Sequence, residues 1–153
     1  MDFAIQKSVE LGVNSITPVI CERTVVNLKV DRMEKKLQHW RAVAISACEQ
    51  SGRNQVPIIN PASKFNDVLG LDTHSLRITL DPLSSQPLKS FQPSDSNSIS
   101  LLIGPEGGLS DSEIELAKQT GFKGACMGPR TLRTETAALA AITSAQQLWG
   151  DFS

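Results

Sequence analysis

The chain has 153 residues, 40% of them hydrophobic and 20% charged, which are the proportions of a single globular domain with an ordinary core. A net charge of −1 excludes the global positive field that produces strong non-specific binding to nucleic acid. No apolar run approaches the roughly 20 residues that span a membrane, and no secretion signal follows Met1.

The cysteines and histidines are too few and too scattered for a metal or disulfide framework. Cys21, Cys48 and Cys126 are far apart and odd in number, no C-x-x-C pair occurs, and there are two histidines. We therefore expect no metal site, no disulfide and a reducing cytoplasmic location.

The charges are unevenly distributed. Residues 1–53 carry eight Lys and Arg against six Asp and Glu, and the remainder carries seven against ten. Binding to RNA is therefore expected to use a local basic patch or the help of another domain.

In the first half of the chain, the pattern predicts a helix over residues 2–11 and extended structure over 15–26. The clearest helix is predicted over 31–51, because apolar residues recur there at spacings of three and four. Asp31 with Glu34 gives this helix an acidic variant of the capping box.

The middle of the chain has weaker patterns. A short strand is predicted over residues 56–60, a short helix over 64–69 and a strand over 76–80. The stretch 82–98 is rich in Ser, Pro, Gln and Asp, and this composition predicts a mobile loop.

The last third alternates clearly between strands and helices. Strands are predicted over 99–103 and 123–127, a helix from the capping box at Ser110 and Glu113 to about residue 120, and an alanine-rich helix over 134–149. This alternation predicts an α/β fold with a mostly parallel sheet covered by helices on both faces.

Two glycine-rich loops follow the last two predicted strands, at residues 104–108 and 128–133. Ligands bind beyond the carboxyl ends of parallel strands, and glycine allows the backbone to approach a ligand closely. Taking these two strands as neighbours, we expect the loops to enclose a small molecule. Each loop alone is equally compatible with a tight turn, and neither has the sequence of a phosphate loop or a dinucleotide fingerprint.

Charged residues gather where the last helix begins. Cations at a helix N-terminus are unfavourable, so Arg130 and Arg133 indicate an anionic partner, or pairing with Glu135 or Glu106. A serine hydrolase is excluded by the absence of a G-x-S-x-G elbow.

Four blocks of sequence together resemble a known family. They are LIGPEGGLS at 102–110, MGPRTLRTETA at 127–137, KSVELGV at 7–13 with CERT at 21–24, and EQSGR at 49–53. In this order they closely resemble the ribosomal small-subunit methyltransferase E family, the 16S rRNA uracil-N3 methyltransferases of the SPOUT superfamily.

The resemblance implies a single SPOUT domain over residues 1–153, with a deep trefoil knot in its C-terminal part, S-adenosylmethionine (SAM) bound in the knot, and a homodimer. Family members also carry an N-terminal PUA-like barrel that helps to bind RNA. The first matching block begins at residue 7, so we expect this chain to lack the barrel, and to bind SAM while methylating rRNA of the small subunit poorly.

The resemblance also implies the chemistry, which is direct methyl transfer from the SAM sulfonium to uracil N3 without a metal. Arg133, Arg53 or Arg23 would stabilise the negative charge that develops on the uracil, and Glu135 or Glu49 would be the base. The residues expected to bind the cofactor are Leu80, Leu102, Ile103, Gly104, Pro105, Glu106, Gly107, Gly108, Met127, Gly128, Arg130, Leu132, Arg133 and Thr134. Two alternatives are a non-catalytic knotted module for RNA binding or dimerisation, and an enzyme that binds nucleotide phosphates.

Overall fold

The computed structural model describes residues 1–24, 30–71, 73, 75–93 and 98–152. The helices within these residues are α1 (Asp2–Glu10), α2 (Val30–Ser51), α3 (Phe65–Leu69), α4 (Asp111–Gln119) and α5 (Thr134–Trp149), with a 3₁₀ turn at Leu88–Ser90. The strands are β1 (Ser15–Ile16), β2 (Val19–Ile20), β3 (Ile58–Ile59), β4 (Ser63–Lys64), β5 (Leu76–Leu80), β6 (Ile99–Leu102) and β7 (Lys123–Ala125). The end of the predicted extended stretch, from residue 25 onward, lies outside the described residues.

The first half of the chain packs around the long helix α2. The apolar spacing that predicted this helix places Trp40, Ala44 and Ala47 on one buried face. They share a core cluster with Ile5 and Val9 of α1. The two helices therefore form one layer, and the short strands β1 and β3 pair beside it.

All strand pairings among the described residues are parallel, which confirms the α/β class with parallel strands. The strands form three separate ladders rather than one sheet: β1 with β3, β2 with β4, and the three-stranded order β6-β5-β7. In the largest ladder Ile78 of β5 pairs with Leu101 of β6 on one side and Lys123 of β7 on the other.

The expectation that the last two strands are neighbours is wrong, because β5 lies between β6 and β7. Strand order depends on pairing between distant segments, which local periodicity does not record. The two glycine-rich loops are consequently separated by the carboxyl end of β5, which brings a third segment of chain between them.

The segment after β5 is anchored where a mobile loop was predicted. Asp81 N–H donates to the Ala125 carbonyl and Cys126 N–H donates to the Gln86 carbonyl, both at 2.9 Å. The side chains of Leu88 and Phe91 are buried in the core beneath the sheet ladder of β5. A polar composition predicted mobility here, but two apolar anchors and a pairing with β7 hold the segment; residues 94–97 of the predicted loop lie outside the described residues.

Helix α4 begins at the predicted capping box. Glu113 N–H donates to Ser110 Oγ at 3.3 Å, and Ser110 N–H donates back to Glu113 Oε2 at 2.9 Å. Within the part of the chain that the structure describes, no helix combines the length and the apolar character needed to cross a membrane.

Candidate functional site

A cavity of about 800 Å³ opens at the carboxyl ends of the three parallel strands β6, β5 and β7. Its wall is made by the turns that follow these strands and by the beginnings of α4 and α5. The lining residues are Thr79, Leu80, Asp81, Pro82, Leu83, Ile103, Gly104, Pro105, Glu106, Gly108, Leu109, Asp111, Ile114, Ala125, Met127, Gly128, Arg130, Thr131, Leu132, Arg133, Thr134, Glu135 and Ala137. This is the position at which open parallel sheets bind small ligands.

The cavity combines an apolar wall with an acidic balance of charge. The apolar part is made by side chains from all three turns, Leu80, Leu83, Ile103, Leu109, Ile114, Met127 and Leu132. The charged part has four carboxylates, Asp81, Glu106, Asp111 and Glu135, against the two guanidinium groups of Arg130 and Arg133. The site is therefore suited to a ligand with a flat apolar portion and positive charge, and poorly suited to a polyphosphate.

Glycine is required in the loop after β6 at two positions. A Cβ atom at Gly104 would lie 3.1 Å from Leu109 N and 3.2 Å from Leu109 Cγ, so a side chain there would displace the far end of the loop. Gly108 has φ +74°, in the left-handed region, and its N–H donates to the Pro105 carbonyl at 2.8 Å. The loop is thus a closed turn with its backbone against the cavity.

The structure brings nearly all of the predicted cofactor-binding residues to this cavity. The exceptions are Leu102, whose side chain is buried in the core, and Gly107. The missing side chain of Gly107 would point toward Arg23, with its Cβ 3.4 Å from Arg23 Cβ, and not into the cavity.

The five candidate catalytic residues are not brought to one place. Arg133 and Glu135 line the cavity at the beginning of α5. Arg23 lies outside the loop, where its Nη1 donates to the Gly107 carbonyl at 3.0 Å. Within one chain Arg53 and Glu49 do not line the cavity.

Arg53 has a structural task that the sequence did not reveal. Its Nη1 donates to the carbonyls of Val9 at 2.8 Å and Val13 at 3.0 Å, and so satisfies acceptors at the end of α1. Glu49 is exposed on α2. Neither position is placed to act on a ligand in the cavity of its own chain.

The residues that sequence reasoning missed come mainly from the turn after β5. Asp81, Pro82 and Leu83 line the cavity between the two glycine-rich loops. Leu83 is 93% exposed, which is unusual for leucine, and its N–H donates to Asp81 Oδ1 at 2.9 Å. The signal available in the sequence was a strand that ends at Asp-Pro, since the carboxyl end of any strand in a parallel sheet is a candidate ligand position.

One thiol near the site is held in its protonated form. Burial raises the pKa of the Cys21 thiol to about 11, and the nearby Glu113 carboxylate adds to this effect. Thiolate is the nucleophilic form of cysteine, so Cys21 has the properties of a core residue and not of a nucleophile.

A small α/β domain with a glycine-lined cavity at the ends of parallel strands belongs to the broad class of proteins that bind a cofactor or nucleoside there. The family model described as RNA methyltransferase domain matches residues 1–146, and the chain belongs to that family. The resemblance predicted from the four sequence blocks is thereby confirmed.

Named relatives agree with this assignment. The chain is 44% identical over 154 residues to the ribosomal RNA small subunit methyltransferase E of Buchnera aphidicola subsp. Schizaphis graminum (strain Sg), covering 100% of this chain and 62% of the relative. It is 36% identical over 155 residues to the protein of the same name in Bacillus subtilis (strain 168), covering 94% of this chain and 59% of the relative.

Solved structures are also similar. A ribosomal RNA small subunit methyltransferase E from Neisseria gonorrhoeae, crystallised with S-adenosyl methionine, superposes with a TM-score of 0.92 at 43% identity. The match covers 100% of this chain and 62% of that one. The chain therefore spans less than two thirds of the length of these relatives.

Proposed function

We propose that this chain is the SAM-dependent catalytic domain of an rRNA methyltransferase, which transfers a methyl group to N3 of a uridine in 16S rRNA. The observation that carries the proposal is the cavity at the ends of β6, β5 and β7, with its glycine-rich loops, apolar wall and excess of carboxylates. The names of the similar proteins support the same reaction and the small ribosomal subunit as the substrate.

The cavity fits SAM on three counts. Its volume of about 800 Å³ lies within the range of roughly 300–1,000 Å³ found for small-molecule sites. The apolar side chains suit an adenine ring, and the four carboxylates suit the sulfonium and ammonium charges. A nucleoside triphosphate would meet these carboxylates with like charge, so the alternative of a nucleotide-phosphate enzyme is disfavoured.

The residues that would hold SAM are those of the three turns, with Gly104 and Gly108 bringing backbone close to the ligand. When bound, SAM supplies an electrophilic methyl group. The chain's own task is then to orient the uracil and to manage one proton and one developing negative charge.

Arg133 and Glu135 are the residues we assign to that task. Both line the cavity at the start of α5, so the guanidinium of Arg133 can stabilise negative charge on the uracil oxygens while the Glu135 carboxylate accepts the N3 proton. Arg23 is an alternative source of positive charge, because it is exposed beside the loop. Arg53 and Glu49 would contribute only from a second copy of the chain.

We further propose that the chain forms a homodimer through α5, contains the trefoil knot of the SPOUT superfamily, and works in the cytoplasm. Along α5 only Ala141 is fully buried, although the helix is rich in alanine and leucine. Small side chains allow two helices to approach closely, and a twofold dimer is the commonest assembly. Light scattering should give twice the mass of one chain, and Leu139→Arg, on the face of α5 opposite Ala141, should give the mass of one.

The decisive experiment is a titration followed by a transfer assay. Calorimetry should show saturable binding of SAM and of S-adenosylhomocysteine, and no competition by ATP. Small ribosomal subunits incubated with the chain and SAM should then yield 3-methyluridine on nucleoside mass spectrometry. Binding of SAM without transfer would support the non-catalytic module, and competition by ATP would overturn the assignment of the cavity.

A further inference from the structure

A buried carboxylate behind the cavity joins two distant parts of the chain. Glu113 is only 8% exposed, and both of its oxygens accept hydrogen bonds. Oε2 accepts from Ser110 N–H at 2.9 Å, which completes the capping box of α4. Oε1 accepts from Glu22 N–H at 2.8 Å, a residue 91 positions earlier in the chain.

The segment that receives the second bond is a closed turn. Cys21 N–H donates to Thr24 Oγ1 at 2.9 Å, and Thr24 N–H donates to the Cys21 carbonyl at 3.0 Å. The buried side chain of Cys21 belongs to the same core cluster as Leu109. The turn, defined here as residues 21–24, is therefore a rigid piece fixed by local bonds, by packing and by Glu113.

Arg23 extends this turn over the outer side of the glycine-rich loop. Its Nη1 donates to the carbonyl of Gly107 at 3.0 Å and approaches that of Leu109 at 3.5 Å. Its aliphatic stem covers the position where a side chain at Gly107 would stand. The outer side of the loop is thus held at its backbone carbonyls, while Gly104, Pro105 and Gly108 line the cavity on the inner side.

The second hydrogen bond of Glu113 exceeds what a helix cap requires. A capping box uses one side-chain oxygen on the N-cap N–H, and a solvated Glu or Gln provides it. A buried carboxylate is costly unless all of its acceptors are used. The connection to Glu22 accounts for the burial, because it fixes the turn to the first residues after the loop.

We propose that Glu113 is a positioning residue for the SAM cavity: through the turn 21–24 and the Arg23 guanidinium, it sets the conformation of loop 104–109. Glu113 does not itself line the cavity, so it acts on the ligand only through these residues. The inference rests on the proposed function, since SAM is the ligand whose affinity the loop would control.

The test compares Glu113→Gln with two matched controls in SAM calorimetry. The glutamine oxygen can accept one of the two N–H groups, but its NH₂ then faces the other donor, so one bond is lost. We expect the Kd for SAM to rise by about tenfold, the scale of one lost bond to a charged group. Glu115→Gln, the same change two residues along α4, should leave the Kd unchanged.

Ser110→Ala separates positioning from stability. It removes the N-cap hydroxyl and should lower the melting temperature, but it leaves both N–H donors to Glu113 in place. If Ser110→Ala weakens SAM binding as much as Glu113→Gln does, at equal loss of melting temperature, the role of Glu113 is only structural and the proposal is wrong.

A double-mutant cycle with Arg23→Ala tests the route of the effect, and also serves if Glu113→Gln fails to fold, because Arg23 is exposed. Arg23→Ala should itself raise the Kd, and the double variant should be no weaker than the weaker single variant, since both changes release the same loop. Additive effects would overturn the proposal. Failure of the unmodified chain to bind SAM would instead reject the proposed function, and hydrogen exchange of the Glu22 amide would still show whether Glu113 fixes the turn.

Discussion

The side-chain amide of Gln146 in α5 donates to the Leu11 carbonyl at 2.8 Å, so the last helix closes the open end of the first. The same amide stands against Gly12, where a Cβ atom would lie 2.4 Å from Gln146 Nε2. Gly12 also has φ +91°, in the left-handed region. This one contact joins the two ends of the described chain.

Gly12→Ala should therefore destabilise the fold more than the same change at Gly121. Both glycines have left-handed φ, which costs alanine about 1–2 kcal/mol. Gly121 has open space around it, whereas alanine at position 12 would also expel Gln146 and lose a hydrogen bond of about 1 kcal/mol. Urea unfolding measures the difference, and in a Gln146→Ala background it should vanish; a difference that persists there would contradict the contact.

Gly104→Val should weaken SAM binding by at least about tenfold, or roughly 1.4 kcal/mol. A side chain at this position meets the backbone of Leu109, so the loop must move away from the cavity. Gly70→Ala is the control, because Gly70 lies outside the cavity and its Cβ would be 3.9 Å from the nearest atom. Gly107→Val is a less direct test, since its side chain would meet Arg23. An unchanged Kd in Gly104→Val would remove the loop from the binding site.

Glu135→Gln should lower the rate of methyl transfer by about a hundredfold, the lower end of what a general base contributes. SAM affinity should change little, because the carboxylate is assigned to the uracil proton. Glu49→Gln supplies the comparison, since Glu49 is exposed on α2 and away from the cavity of its own chain. Single-turnover rates with small ribosomal subunits decide between them, and an equal loss in Glu49→Gln would show that the base comes from a second copy.

The stability of the chain should depend on pH through Cys21. The folded state holds the thiol proton up to a pKa of about 11, whereas the unfolded chain releases it near about 8.5. The thiol therefore favours folding fully below the unfolded value, and this contribution is lost as pH rises through that window. Between pH 8 and pH 10.5 the unfolding free energy of the natural chain should fall by about 1–2 kcal/mol more than that of Cys21→Ala. Parallel curves for the two proteins would refute the assignment.

Local pattern predicted the elements of this fold well where one face of the element is apolar. The helix predicted over 31–51 is observed at Val30–Ser51, and the last helix begins and ends as predicted. The capping box at Ser110 and Glu113 is confirmed because both of its partners lie within four residues of sequence. Each of these features is determined by neighbours along the chain.

Relationships between distant segments were not available in the same way. The placement of β5 between β6 and β7 required pairing information, and so did the anchoring of the segment after Asp81 against β7. Arg53 illustrates the same limit at a single residue. Its position after a helix suggested a role in the site, but the structure gives its guanidinium to the backbone of α1.

The cavity is lined entirely by residues between Thr79 and Ala137, so every group assigned to the methyl donor comes from one continuous stretch of sequence. Mutational drift in α1, α2 and the first four strands can therefore remodel the surface offered to a ribosome without disturbing donor chemistry. The turn at Cys21–Thr24 is the joint at which such drift would be felt. Relatives that differ in their RNA target are expected to diverge mainly before residue 70, and to keep the pair formed by Arg23 and the loop at Gly107.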